Sequence, residues 1–136
     1  MYTVENPAGR LVTFRVTPPV DDGNAVSAAA DLRSAILGVE GPVIVCSDLR
    51  GARTFAPWTA QRFIGVMKLD NIKIERSALL LGADKAAVLL QIERMVREAA
   101  SPARRTFRDG SELAAWLAPL LDERERAALE AFLESR

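Results

Sequence analysis

Apolar positions recur with a strand-like pattern at the start of the chain and with a helical period over most of the rest. Tyr2-Thr3-Val4-Glu5 and Leu11-Val12-Thr13-Phe14-Arg15-Val16 are rich in β-branched and aromatic residues, which favours two strands. Pro7-Ala8-Gly9 between them is short enough for an antiparallel hairpin, and Pro18-Pro19 ends the segment. Asp21-Asp22-Gly23-Asn24 offers helix-starting side chains. Ala25, Ala29, Leu32 and Ile36 then recur at helical spacing, with Val26 and Leu37 widening the stripe, until Gly38 and Gly41-Pro42. Val43-Ile44-Val45-Cys46 is continuously apolar, as expected of a central strand covered on both faces.

A loop from Leu49 to Ala56 follows, and Pro57 suits the first turn of a helix, where its missing N–H costs nothing. That helix carries Ala60, Phe63, Ile64 and Met67 inward and ends around Asp70-Asn71. Ser77-Ala78-Leu79-Leu80-Leu81 reads as a second buried strand, closed by Gly82. Asp84 is placed to cap a helix whose inner face is Val88, Leu89, Ile92, Met95, Val96 and Ala99, stopped by Ser101-Pro102. Arg105-Thr106-Phe107-Arg108 is a short strand. Asp109-Gly110-Ser111-Glu112 starts a helix bearing Leu113, Trp116 and Leu117, which Pro119 ends or kinks. Asp122 and Glu125 have capping-box spacing ahead of an apolar stripe of Ala128, Leu129, Phe132 and Leu133.

Strands alternating with helices imply right-handed parallel crossovers, and the opening hairpin adds an antiparallel edge. The expected fold is α/β: a mixed sheet of about five strands with alternating helices and an extra C-terminal helix. Residues 1–120 form the domain, and 121–136 form an amphipathic helix that belongs to it or serves as an interface, a homodimer being the simplest case.

Charge and composition narrow the chemistry. Lys plus Arg and Asp plus Glu number 18 each, so the basic excess that phosphate backbones demand is missing and no nucleic acid is expected. Arg104, Arg105 and Arg108 read as solvated, with anion contact as the alternative. The chain has no histidine, which removes Ser-His-Asp and Cys-His catalysis and most zinc sites. No nucleophile–base pair, metal-ligand set or glycine-rich phosphate loop takes its place, so no catalytic residue, metal or cofactor is expected. Cys46 is the lone cysteine, excludes an internal disulfide, and reads as a buried thiol. Met1 to Asn6 lacks a leader pattern and no apolar run is long enough to span a bilayer, which points to the cytoplasm without membrane insertion.

Residues 43–51, an apolar run ending in Asp48-Leu49-Arg50-Gly51, and residues 105–117, ending in Ala115-Trp116-Leu117, resemble the STAS domain, shared by anti-sigma-factor antagonists and the cytosolic tails of sulfate transporters, and in particular its stand-alone bacterial SpoIIAA-like branch. Val43-Ile44-Val45-Cys46-Ser47-Asp48-Leu49-Arg50-Gly51 resembles the apolar strand ending in Asp-Leu-x-Gly. Arg105-Thr106-Phe107-Arg108-Asp109 followed by Leu113-Ala114-Ala115-Trp116-Leu117 resembles the branch's closing strand and helix. In antagonist-type members the following loop carries a hydroxyl that a partner kinase phosphorylates. Counted on from Asp48, that motif falls at Ala56-Pro57-Trp58-Thr59, with Trp58 at the hydroxyl position, so the resemblance implies a module without the usual switch. Thr59 is either a shifted acceptor or an exposed helix residue with no regulatory role.

Asp48, Arg50, Arg53 and Thr54 gather at the C-terminal end of a central strand, just before a helix start, where open α/β sheets bind ligands and anions. Either they hold an anionic ligand or partner, or Asp48 pins the loop and the arginines are solvated. Trp58 either marks an interaction surface or packs the first helical turn. Two functional readings result. One is a non-enzymatic regulatory or protein-interaction module. The alternative is a carrier or sensor for a small apolar molecule or lipid, which needs a pocket of roughly 300 Å3 or more between helices and sheet.

Overall fold

A computed structural model describes residues 1–17, 22–82 and 86–135. Pro18, Pro19, Asp21, Asp84 and the side chain of Asp22, assigned above as breakers and caps, lie outside the described residues. Five strands, β1 (Tyr2–Ala8), β2 (Leu11–Val16), β3 (Val43–Leu49), β4 (Ile74–Leu81) and β5 (Arg104–Phe107), form one sheet in that spatial order. β1 runs antiparallel to β2, and the remaining neighbours are parallel. The helices are α1 (Asp22–Gly38), α2 (Pro57–Asp70), α3 (Ala86–Ala99), α4 (Gly110–Leu117) and α5 (Glu123–Glu134). The mixed sheet with its antiparallel edge and extra final helix is therefore the one expected.

The period-2 geometry of a strand sends alternate residues to opposite faces. Val12, Phe14, Val43, Val45, Leu79 and Leu81 face a layer containing Ala28 and Ile36 of α1 and Val88, Leu89 and Ile92 of α3. Leu11, Ile44, Cys46, Ala78, Leu80 and Phe107 face Leu113 and Leu117 of α4, Leu121, and Leu129 of α5. Both faces are covered, so β3 is buried along its whole length. The helix α2 packs on α1 and α3 rather than directly on the strands.

Several boundaries differ from expectation for physical reasons. β1 continues through Pro7 to Ala8 because a register shift between Glu5 and Ala8 accommodates the proline at this sheet edge. The turn is thus Gly9-Arg10. Gly9 has φ +50°, and a Cβ there would lie 2.5 Å from Glu125 Oε2, so both backbone and space require glycine. Leu37, assigned to the inner stripe of α1, is exposed, while Ala25, Ala29 and Ile36 are buried. As expected, α4 ends just ahead of Pro119, which sits in a 3₁₀ turn, Ala118–Leu120. The final helix folds back onto the sheet. Asp122 and Glu125 form the reciprocal capping box, and Glu125 also accepts from the backbone N–H of Arg10 at 2.8 Å.

Candidate functional site

Parallel pairing of β2 with β3 sets Arg15 opposite Asp48. The Asp48 carboxylate is buried, with Arg15 Nε donating to Oδ2 at 2.9 Å. Arg50 donates from its backbone N–H and Nε to Oδ1, at 3.1 and 2.9 Å, and from Nη2 to Oδ2 at 3.0 Å. Burial alone would raise the carboxyl's pKa. The hydrogen bonds from the side chain and backbone of Arg50, then from Arg15, outweigh it and hold Asp48 below the usual carboxylate range.

Both guanidinium groups reach on to the C-terminal end of α5. Arg15 Nη2 donates to the carbonyls of Phe132 and, at 2.9 Å, Ser135, while Arg50 Nη2 donates to the Leu133 carbonyl at 3.3 Å. The Arg15 guanidinium also lies 4.3 Å from the centroid of the Phe132 ring. Cations at the last carbonyls of a helix complement its dipole. Asp48 thus orients two arginines that fasten the final helix over β2 and β3.

The other residues singled out at this strand end lie outside that network. Arg53 and Thr54 are exposed, and Trp58 is 55% exposed in the first turn of α2. The loop that presents them is tied to α3: the Phe55 N–H donates to Gln91 Oε1 at 2.7 Å, and Gln91 Nε2 returns a bond to the Phe55 carbonyl at 2.8 Å. Thr59 is 1% exposed, which corrects the exposed-helix expectation. With Ala60 it lies on the side of the first turn of α2 that faces the domain, while Pro57 and Trp58 face solvent.

A second polar cluster was missed in the sequence. Asp70, the last residue of α2, and Arg104, the first of β5, are both buried. Arg104 is thus not the solvated residue that its basic cluster suggests. It is instead held from Nη1 to Asn71 Oδ1 at 2.7 Å, and Asn71 in turn donates to the Ala99 carbonyl at 2.8 Å. Asp70 lies 3.9 Å from Arg33. Burial raises the Asp70 pKa and lowers that of Arg104. Both residues line one cavity of about 80 Å3 between the sheet and α1, α2 and α3.

Burial pushes the Cys46 thiol up to about 12, so it is a core residue without thiolate character near neutral pH. Among the described residues no group of His, Cys, Asp or Glu could hold a metal ion, and no helix is long and apolar enough to cross a membrane.

No family model matches the chain, and no curated protein matches it. Among solved structures it is similar to the crystal structure of an uncharacterized protein from the DUF3478 family, with a SpoIIAA-like fold, from Shewanella loihica PV-4. The TM-score is 0.61, over 86% of this chain and 92% of that one. The chain has a SpoIIAA-like fold. The two sequences are 15% identical, so the likeness concerns the backbone arrangement, and the roles of side chains must be argued from this chain alone. At the strand end expected to hold an anion, Asp48 and Arg50 are tied to the end of the chain's own final helix, while Arg53 and Thr54 remain exposed.

Proposed function

We propose that the protein is a non-enzymatic, STAS-like interaction module that works without the usual Ser/Thr phosphorylation switch and recognises a protein partner through the start of α2. The exposure of Trp58 carries this reading. A large aromatic side chain left half in water, a few residues on in the chain from exposed Arg53 and Thr54, forms an anchor of the kind enriched in binding hot spots. The Gln91 amide clamp supports it by holding the presenting loop before any partner arrives, which lowers the ordering cost of binding. Burial of Thr59 supports the absence of a switch, since a kinase needs an accessible hydroxyl. The depressed pKa of Asp48 and the raised one of Cys46 likewise suit structural groups rather than a base and a nucleophile.

A photo-crosslinking amino acid at position 58, introduced in the cells that make the protein, tests the proposal. A discrete crosslinked species that is missing when the same group replaces the exposed Leu90 is the expected result. Equal, diffuse labelling from both positions would remove Trp58 as an anchor.

One observation favours a second reading, a receptor for a small molecule: the cavity under α2 has walls that are almost wholly apolar. At about 80 Å3 it is well short of the roughly 300 Å3 that a full-sized ligand occupies, so with the helices placed as they are only a small molecule fits.

A further inference from the structure

Phe14, Ala29, Leu32, Ile36, Val66 and Met67 make much of the cavity wall, and the charged side chains in its lining are Asp70 and Arg104. These two are 3% and 8% exposed. Among the described residues the ion pair Asp70 makes within 4 Å is with Arg33 alone, at 3.9 Å, which is too long for a hydrogen bond. Arg104 spends one N–H on Asn71. Two buried charges on one apolar cavity are costly when they are not joined to each other by hydrogen bonds.

We infer that Asp70 and Arg104 form the head-group site for a small uncharged amphiphile, a hydroxyl or primary amide on two or three carbons. The inference rests on the small-molecule reading given above and names its ligand class. A carboxylate only accepts hydrogen bonds and a guanidinium only donates them, whereas a hydroxyl or amide does both at once. An anionic ligand would face Asp70 and a cationic one Arg104, and each would bring an unmatched charge into the site. A wholly apolar ligand would leave both groups as they are. Size sets the rest. Water occupies about 30 Å3 in the liquid and a dry cavity that takes benzene is about 150 Å3, so a space of about 80 Å3 suits a few heavy atoms.

Methyl NMR spectra of the full-length protein, read at Ile36, Val66, Met67 and Ile92, locate binding directly and need no variant. The probes are propionamide, propionate, propylammonium and xenon. Saturable shifts at these methyls are expected for propionamide, with an affinity about tenfold above that of either ion, the size of one or two well-made hydrogen bonds. Xenon entry without any preference for the amide would overturn the head-group assignment and leave the small-molecule reading standing. Failure of both xenon and propionamide to shift these methyls would overturn the two together.

Discussion

Each face of this sheet holds one buried aspartate between arginines, and the two titrate in opposite directions. Asp48, near the C-terminal end of β3, lies under α5 and accepts four hydrogen bonds from Arg15 and Arg50. Asp70, the last residue of α2, sits beside the N-terminal ends of β4 and β5, with Arg33 at 3.9 Å and Arg104 lining the same cavity. Their exposures are nearly equal, 4% and 3%. Desolvation is the largest single influence on both. What separates them is directed hydrogen bonding, which overcomes burial at Asp48, whereas at Asp70 only the charges of Arg33 and Arg104 oppose burial and they do not overcome it. Burial sets the cost of a charge, and directed donors decide whether that cost is recovered.

The largest effect expected from this contrast is at Asp48. Asp48→Asn removes the anion and leaves two partly buried guanidinium groups facing each other beneath α5, a change of the kind that costs about 3–5 kcal/mol. Urea unfolding should show a lowered midpoint with little change in slope. A loss under 1 kcal/mol would mean that the helix end alone can hold both arginines.

Arg15→Met sharpens the same point by leaving the Asp48–Arg50 pair in place while cutting the Arg15 bonds to Asp48, Phe132 and Ser135. Hydrogen bonds to charged groups contribute about 1.5–3 kcal/mol, and the methionine retains some packing on Phe132, so a loss of about 2 kcal/mol is expected. Hydrogen exchange should report it locally. Amides in the last turn of α5 lose protection, while those of β3 and β4 open only with global unfolding. Uniform loss across the chain would show that α5 and the sheet form one cooperative unit.

Much of this frame was legible before any coordinates. Continuous apolar runs marked β3 and most of β4, helical periodicity marked every helix, and the Asp122–Glu125 spacing foretold a capping box that forms as written. The Asp-Leu-x-Gly resemblance placed Asp48 at a strand end. Its partners were harder to see. Arg50 is adjacent, but Arg15 joins through parallel register with a strand that is distant in sequence, and strand alternation alone says only that Arg15 faces away from Phe14. Arg53, grouped with Arg50 by proximity in sequence, points to solvent. Asp70 and Arg104 left even less trace. One looked like the polar end of a helix and the other like a member of a basic cluster, and only the return of α2 over the sheet brings both to one cavity.

The smallest effect, and the one that most tests the contrast, belongs to Asp70. Its raised pKa means that the folded protein binds this proton more tightly than the unfolded chain, whose value is near 3.8. Stability from this group therefore falls as pH rises from that value through the folded pKa. Asp48 behaves in the opposite sense, since its contribution is full above the unfolded value and is lost as pH falls through a lower folded pKa. Asp70→Asn should accordingly change stability at neutral pH by no more than about 1 kcal/mol, in the stabilising direction, because it removes a charge that its surroundings disfavour. Across urea midpoints from neutral pH down to the carboxylate range, the variant should lack the gain on mild acidification that Asp70 lends the native chain, and keep the loss at lower pH that belongs to Asp48. If Asp70→Asn instead cost as much as Asp48→Asn, then Arg33 and Arg104 would be holding Asp70 as tightly as Arg15 and Arg50 hold Asp48. The cavity's polar end would then be a structural ion cluster rather than a pair of charges left open to a ligand.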